Sequence, residues 1–215
     1  MQENNTFINP KNNDIAITPI NWWGPYILYS KINKKITKKL LEEGNKLKPE
    51  NDAKRSLASN IDRVRKYQEK EWIAEALLPY TNRWVDGWNK FSGRNFNPNN
   101  AHLSSVWINF QEAGESNPEH IHGDTDLSFV IYLKVPQVIR EEYETFLRDK
   151  KHSGTPPGSI GFSYGEYQPF AVGGRNICPK EDSILMFPSK LRHGVPAFNS
   201  NAIRISVAGN ILFLD

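Results

Sequence analysis

Two histidines and an aspartate in the second half of the chain have the types and spacing of a metal-binding set. His122 and Asp124 are separated by one residue, and His193 follows about seventy residues later. Two imidazoles and one carboxylate with open coordination positions suit non-haem Fe(II) and oxygen chemistry. We therefore predict an iron site with His122, Asp124 and His193 as its ligands.

The choice of His122 and Asp124 depends on the chain being extended between them. Residues two apart on a strand point to the same side, so both side chains could reach one ion without a bend in the backbone. His120 and Asp126 have the same parity. Either of them therefore remains an alternative to one of the chosen ligands.

An arginine near the end of the chain predicts an acidic small-molecule ligand. Arg204 and Ser206 share one face of an apolar terminal segment, and Ile205 and Val207 take the other face. A buried guanidinium is costly unless a carboxylate pairs with it through a two-pronged hydrogen bond. The segment has no acidic residue on that face, so we expect the carboxylate to come from a ligand.

The hydrophobic pattern of the first half is helical. Apolar residues between 73 and 88 recur at spacings of three and four, which predicts a helix. Asn33 is placed to cap an earlier helix that runs to about Leu47. We expect the second helical region to begin at about Ile61, and we expect Pro79 to kink or split it.

The second half has the period of β-strands. Residues 127–135, 183–187 and 203–214 are apolar or alternating, and each lies between turn signals. Short strands of this kind predict a sandwich or small barrel. The less regular residues 137–180 contain a candidate short helix and two glycine-rich turns, and we expect them to form a lid or a substrate-facing insertion.

The combined set resembles the Fe(II)/2-oxoglutarate-dependent oxygenases. The ligand set and the Arg-x-Ser motif at 204–206 carry this resemblance. The stretch from Asp182 to Val195, with its Phe-Pro-Ser motif before His193, is similar to the prolyl 4-hydroxylase-like branch. The motifs Asn-Pro-Glu-His-Ile-His and Leu-Ser-Phe-Val-Ile-Tyr-Leu are similar to those of cyanophage 2-oxoglutarate oxygenases. The resemblance is specific over about residues 101–215 and weak before residue 100.

The resemblance implies a fold and a function. The expected fold is mainly β with supporting helices: a double-stranded β-helix (jelly roll) core at residues 101–215 follows an arm, a strand and helices at residues 1–100, in one compact domain overall. The implied activity is that of a dioxygenase that uses Fe(II), 2-oxoglutarate and O2 to hydroxylate a peptidyl, prolyl-like or other unactivated C–H substrate, with release of succinate and CO2. The alternative is a cupin-like metal-binding protein or metalloenzyme that does not use 2-oxoglutarate.

The resemblance also assigns roles around the iron. It implies that Arg204 forms a salt bridge to the C5 carboxylate of 2-oxoglutarate, assisted by Ser206. Tyr132 and Ser128 match positions that line the cosubstrate pocket. Asn109 matches, more loosely, a position that bonds the other end of the cosubstrate.

Composition and charge exclude other classes. The formal net charge is only +3, and acidic residues interleave with the lysines of the first half, as on a solvated helix surface, so we do not expect nucleic acid as a partner. The single cysteine, Cys178, excludes an intramolecular disulfide and a Cys-rich zinc site. The polar N-terminus and the absence of a long apolar run predict a soluble intracellular protein, in the host cytoplasm if the chain is phage-encoded. We assign no role to His102 or His152.

Overall fold

Antiparallel β-sheet makes up most of the regular structure. The structure is a computed structural model and describes residues 24–53, 59–98, 100–149, 154–166 and 168–214. The strands in this part of the chain are β1 (Leu28–Lys31), β2 (Arg63–Lys66), β3 (Asn100–Gln111), β4 (Asn117–His120), β5 (Leu127–Lys134), β6 (Ile160–Ser163), β7 (Gly174–Ile177), β8 (Ser183–Pro188), β9 (Arg192–Val195) and β10 (Arg204–Leu214). The α-helices are α1 (Lys34–Lys46), α2 (Glu71–Ser92) and α3 (Gln137–Arg148).

The strands form two sheets that bring distant parts of the sequence together. Six strands form the larger sheet in the order β1-β8-β5-β10-β3-β2, and four form the smaller sheet in the order β4-β9-β6-β7. The central strand β10 pairs with β3 on one side and with β5 on the other, so that Ser206 lies opposite both Asn109 and Tyr132. The prediction of a mainly β protein with helices is confirmed.

The two faces of β5 and β10 are used as the alternation predicts. On one face, Ile205 and Val207 join the apolar core beneath the helices, as do the odd-numbered residues of β5 from Leu127 to Leu133. On the other face, Tyr132 packs between the two sheets, and Arg204 and Ser206 are buried there. One face of the larger sheet is therefore a hydrophobic core and the other lines a polar cavity.

The first two helices cover the outer face of the larger sheet. The side chain of Asn33 accepts a hydrogen bond from the backbone N–H of Lys35 at 2.9 Å, which confirms it as the cap of α1. Helix α2 buries Ile73, Leu77 and Trp84 on the predicted apolar face. The helix continues through Pro79 without being split. It ends at Gly93, whose φ of 69° is the left-handed conformation that glycine adopts readily.

One expectation about secondary structure was wrong, and another was incomplete. The region from Ile61 does not begin a helix, because Ile61 and Val64 are buried in a small cluster with Trp107, and β2 pairs with β3. The 137–180 segment is more than a lid, because it supplies α3 and two strands of the smaller sheet. The pattern from Ile15 to Ile32 also predicts one or two strands with a turn at Gly24-Pro25, and β1 lies in the second part of that range. Residues 15–23 lie outside the described residues, as does His152. In the described ranges, no helix is both long and apolar enough to cross a membrane.

Candidate active site

Three histidines meet where β4 and β9 lie side by side. His120 and His193 are cross-strand partners, and His122 follows in the loop after β4. Their ring centroids are 4.4 Å apart for His120 and His193, 5.0 Å for His120 and His122, and 5.3 Å for His122 and His193. One ring nitrogen from each residue lies within 4.8 Å of the other two, so the three rings surround a point where a metal ion could bind.

Backbone carbonyls orient two of these rings. Nδ1 of His120 lies 2.7 Å from the Pro118 carbonyl oxygen, and Nδ1 of His193 lies 2.8 Å from that of Leu191. A carbonyl can only accept, so Nδ1 carries the proton in both rings. Nε2 of each ring then carries the free lone pair that a metal requires. Carbonyl partners of this kind are typical of metal-binding histidines.

The surroundings of His122 and His193 keep both rings neutral. Burial, with a smaller contribution from the neighbouring imidazoles, lowers the pKa of His193 to about 3 and that of His122 to about 4. The ring of Phe187 packs edge-on against His193 at 4.7 Å, and Trp107 lies 6.0 Å from His122. Two of the predicted ligands are therefore unprotonated at neutral pH and partly shielded from water by aromatic rings.

Arg204 lies in the same cavity as the histidines, on the strand that crosses the middle of the larger sheet. It is 3% exposed. One guanidinium nitrogen, Nη1, donates to the Gly158 carbonyl oxygen at 2.9 Å, whereas Nε has no partner. Burial lowers the pKa of this guanidinium, so an anion beside it would stabilise its charged form. No side-chain carboxylate among the described residues lines the cavity.

Unpartnered polar atoms are concentrated in this cavity. The hydroxyl of Tyr132 and the Oδ1 atoms of Asn109 and Asn117 are buried without a hydrogen-bond partner, as is Arg204 Nε. A buried polar group without a partner costs about 1–3 kcal/mol. Four such groups around one space therefore indicate a polar ligand that satisfies them.

The structure places the two acidic candidates differently from the histidines. Asp124 lies in a turn, is exposed and is not one of the three clustered ligands. Asp126 is also exposed, and its carboxylate accepts a hydrogen bond from the backbone N–H of Phe213 at 2.8 Å. The expectation that the chain is extended from residue 122 was wrong, because β5 begins only at Leu127. The strand parity that was to carry Asp124 to the metal therefore does not hold.

The residues expected to bind 2-oxoglutarate do share one cavity. Asn109, Ser128, Tyr132, Arg204 and Ser206 all line it. Ser128 is already engaged, because its hydroxyl donates to Asn210 Oδ1 at 2.8 Å. Ser128 can therefore accept a hydrogen bond from a ligand or contact it, but its hydroxyl proton is not free to be donated.

Sequence reasoning missed two contributors to this cavity. Asn117 contributes a buried amide oxygen to the cavity. The Pro, Glu and His that follow it do not alternate between apolar and polar residues, so the sequence did not indicate which way Asn117 points. Gly158 holds Arg204 by its carbonyl oxygen, and its φ of 67° favours glycine. A side chain there would also meet Ile139, whose Cγ2 lies 2.3 Å from an ideal Cβ position. The Pro-Pro-Gly motif marked this turn, but nothing in it pointed to an arginine about forty-six residues later.

Comparisons with known proteins relate this chain to one family and one fold. Residues 105–210 match the model of a protein family described as "Putative 2OG-Fe(II) oxygenase". The viral collagen prolyl hydroxylase vCPH from Paramecium Bursaria Chlorella virus-1, solved as its 2OG complex, aligns with a TM-score of 0.54 at 13% identity, covering 87% of this chain and 96% of that chain. A Pseudomonas putida prolyl-4-hydroxylase aligns with a TM-score of 0.50 at 14% identity, covering 88% and 93%. The epimerase SnoN from nogalamycin biosynthesis aligns with a TM-score of 0.53 at 11% identity, covering 87% and 78%. No curated protein matches the sequence significantly.

The matched segment contains the histidine cluster and Arg204 together. The protein is a 2-oxoglutarate-dependent oxygenase, and its cofactor and cosubstrates are Fe(II), 2-oxoglutarate and O2. Its solved neighbours include hydroxylases and an epimerase, so the shared fold does not by itself select the reaction. The donor set fits the iron, since imidazole nitrogens are ligands that iron accepts, and the unpartnered Arg204 and Tyr132 fit a carboxylate.

Proposed function

We propose that this oxygenase hydroxylates an unactivated C–H bond of a peptide, with a prolyl-like residue as the preferred target, and releases succinate and CO2. The observation that carries the cosubstrate part of the proposal is the buried Nε of Arg204, which has no partner and faces the same cavity as the histidines. The fold of viral and bacterial prolyl hydroxylases supports the peptide part.

In this proposal, the larger sheet holds the cosubstrate by its far carboxylate. Arg204 and Tyr132 would donate to the C5 carboxylate of 2-oxoglutarate, with Ser206 beside them. A charge-assisted hydrogen bond is about twice as strong as a neutral one, and the planar guanidinium fits the two oxygens of a carboxylate. Asn109 and Ser128 would complete the pocket along the length of the cosubstrate.

Strand β9 of the smaller sheet and the loop after β4 would hold the metal. His122 and His193 would be two of its ligands, and the sequence pattern proposes Asp124 as the third, with His120 and Asp126 as alternatives. Fe(II), when bound, supplies the oxygen activation that no protein side chain can supply. The chain itself would keep the two imidazoles neutral, bind the cosubstrate at Arg204, and shield the site with Trp107 and Phe187.

We extend the proposal to the fold of the chain and to its relatives. The two sheets would form a double-stranded β-helix, with residues 101–215 as the catalytic core and residues 1–100 as its support. The core motifs around residues 117–133 support a relation to cyanophage oxygenases.

A cupin-like protein without 2-oxoglutarate would leave Arg204 Nε and the Tyr132 hydroxyl buried and unsatisfied, which argues against that alternative.

Turnover with peptide substrates tests the proposal. Purified protein is incubated with Fe(II), ascorbate, 2-oxoglutarate and a set of proline-containing peptides, and mass spectrometry reads the gain of one oxygen atom while succinate is measured in parallel. We expect oxygen transfer to peptides that is stoichiometric with succinate and absent in Arg204→Ala. Succinate release that no peptide stimulates would contradict the peptide substrate and leave the oxygenase class intact.

A further inference from the structure

The third metal ligand is the part of the site where the sequence pattern and the geometry diverge. We infer that His120 takes the place that a carboxylate holds in a two-histidine, one-carboxylate set, so that the ion is bound by His120, His122 and His193. The inference rests on the proposed iron site and concerns only the side chain that completes it.

The position of His120 favours it. It lies directly across from His193 in the β4–β9 pair, and their rings are the closest two of the three. Metal–nitrogen bonds are about 2.0–2.1 Å long, so two nitrogens on one face of an ion lie about 3 Å apart. The three candidate nitrogens already lie within 4.8 Å of one another, so small side-chain rotations are enough to close them around an ion.

His120 is also oriented in the same way as His193. Each ring bonds, through Nδ1, the carbonyl oxygen of the residue two positions before it in sequence. In both cases this contact leaves Nε2 as the free lone pair. A carbonyl that holds the far nitrogen is the usual support of a histidine that binds metal.

The two carboxylates lie outside the cluster, in a loop that backbone hydrogen bonds hold in place. The His122 N–H donates to the Ser189 carbonyl at 2.9 Å, and the Asp126 N–H donates to that of Ile211 at 3.1 Å. The loop is therefore fastened on both sides of Asp124, which is exposed in the turn between them. Asp126 cannot reach the metal without giving up its hydrogen bond from Phe213.

An all-histidine set changes the charge at the metal. Three imidazoles are neutral ligands, so the ion keeps its full positive charge, whereas a carboxylate ligand would offset one unit of it. Interactions between charges are stronger where water is excluded. The metal in this site should therefore bind a small anion such as azide more tightly than the metal in a His120→Asp variant.

Metal binding by ligand variants tests which side chain completes the set. Anaerobic isothermal titration of Fe(II) is carried out on the wild type, His120→Ala, His120→Asp, Asp124→Asn and Asp126→Asn, with thermal unfolding of each variant to verify its fold. We expect His120→Ala to weaken Fe(II) binding by more than about 100-fold, which is beyond the loss typical of residues that only orient ligands. His120→Asp should restore most of the affinity, and the two aspartate variants should stay within about threefold of wild type. Rescue by Asp separates a ligand from a residue that is needed only for folding.

Azide provides a second readout, which compares two proteins that are both folded and loaded with Fe(II). Azide is titrated into the Fe(II)·2-oxoglutarate forms of the wild type and His120→Asp, and its binding is followed by absorption. We expect binding at least about tenfold weaker in His120→Asp, and equal affinity would overturn the all-histidine charge assignment. Loss of Fe(II) in Asp124→Asn with retention in His120→Ala would overturn the ligand assignment while the oxygenase function stands. Full Fe(II) binding in all variants and in His193→Ala would instead overturn the proposed iron site.

Discussion

The two ends of the cavity are built from different kinds of structure. The carboxylate end consists of Arg204, Ser206 and Tyr132, which are buried on β10 and β5 in the middle of the larger sheet. At the metal end, His193 lies on a short strand of the smaller sheet, His120 is the last residue of β4, and His122 is in a loop. One end is therefore fixed by long, fully paired strands, and the other depends on how a loop is held.

The difference also appears in hydrogen bonding. The carboxylate end carries two donors, Arg204 Nε and the Tyr132 hydroxyl, that have no partner within the protein. The metal end has its far nitrogens paired already for His120 and His193. Ligand binding should therefore stabilise the fold mainly through the first end, while the second end is prepared for metal in advance. The following experiments separate the two ends.

The largest effect is expected at the metal end. His193→Ala removes a buried ligand and should weaken Fe(II) binding by more than about 100-fold, whereas the fold should remain intact. His102→Ala is the matched control, because His102 is exposed on β3, does not line the cavity and has no predicted role. Inductively coupled plasma analysis of iron retained after desalting measures both. Stoichiometric iron in the His193 variant would refute the assignment.

Arg204→Ala tests the carboxylate end by itself. The guanidinium is not a metal ligand, so Fe(II) binding should persist, while 2-oxoglutarate would lose its charged partner at a cost of roughly 3–5 kcal/mol, or more than about 100-fold in affinity. Arg204→Lys should recover only part of this, because an ammonium lacks the two-pronged geometry. Isothermal titration of 2-oxoglutarate into Mn(II)-loaded protein gives the constants.

Arg175→Ala supplies the control for that experiment. Arg175 is exposed on β7 and does not line the cavity, so its loss should leave 2-oxoglutarate affinity unchanged. Unchanged affinity in Arg204→Ala as well would remove the reason to place the cosubstrate here.

Tyr132→Phe separates stability from binding at the same end. The hydroxyl is buried without a partner, and burial raises its pKa, although the nearby Arg204 acts in the opposite direction. Removing the hydroxyl should stabilise the ligand-free protein by about 1–3 kcal/mol, yet weaken 2-oxoglutarate about 10- to 100-fold. Urea unfolding without ligand and titration with ligand measure the two effects. A loss of stability in the free protein would mean that the hydroxyl is satisfied by other means.

The smallest effect is expected outside the cavity, where α3 fastens the loop before β10. The Glu142 carboxylate accepts hydrogen bonds from the backbone N–H groups of Asn199 and Ser200, at 2.9 and 3.0 Å, and from the Ser200 hydroxyl at 2.6 Å. Glu142→Gln should lower the free energy of unfolding by about 1 kcal/mol and leave Fe(II) and 2-oxoglutarate binding nearly unchanged. A large loss of 2-oxoglutarate affinity would show that this loop, and not the strand alone, positions Arg204.

The contribution of Glu142 also has a defined pH dependence. Burial raises its pKa, but the hydrogen bonds from Ser200 and Asn199 outweigh burial and hold the pKa below its ordinary value of 4.5. The unfolded chain then binds more protons than the folded chain in this range, so stability falls as the pH drops below about 4.5. Urea unfolding at about pH 7 and about pH 3 should show a smaller acid-induced loss in Glu142→Gln than in wild type. Equal losses would assign the acid sensitivity to other groups.

The carboxylate end could be predicted from sequence because strands have a fixed period. Arg204 and Ser206 alternate with Ile205 and Val207, and Tyr132 lies in an equally regular strand, so one assumption about parity placed all of them. The long apolar runs of β5 and β10 made that assumption safe. Helix α1 was predictable for a similar reason, since its cap and its apolar positions lie within one short segment.

The metal end could not be predicted in the same way. The orientation of Asp124 depends on a turn whose ends, His122 and Asp126, are hydrogen-bonded to Ser189 and Ile211, about sixty-seven and eighty-five residues further along the chain. Likewise, Gly158 meets Arg204 only through tertiary packing. Local patterns carry no information about such contacts, so the sequence narrowed the ligands to a few candidates and left the third one open.

The most direct test of the account is an anaerobic titration of Fe(II) in the presence and absence of 2-oxoglutarate, followed by visible absorption. We expect a charge-transfer band that appears only when both are present, saturates at one equivalent of 2-oxoglutarate, and is lost in both Arg204→Ala and His193→Ala. Because the two variants damage opposite ends of one cavity, loss in both means that the ends act on the same ligand. A band of full intensity in Arg204→Ala, or none in the wild type, would contradict the claim that the metal and the arginine share a cosubstrate.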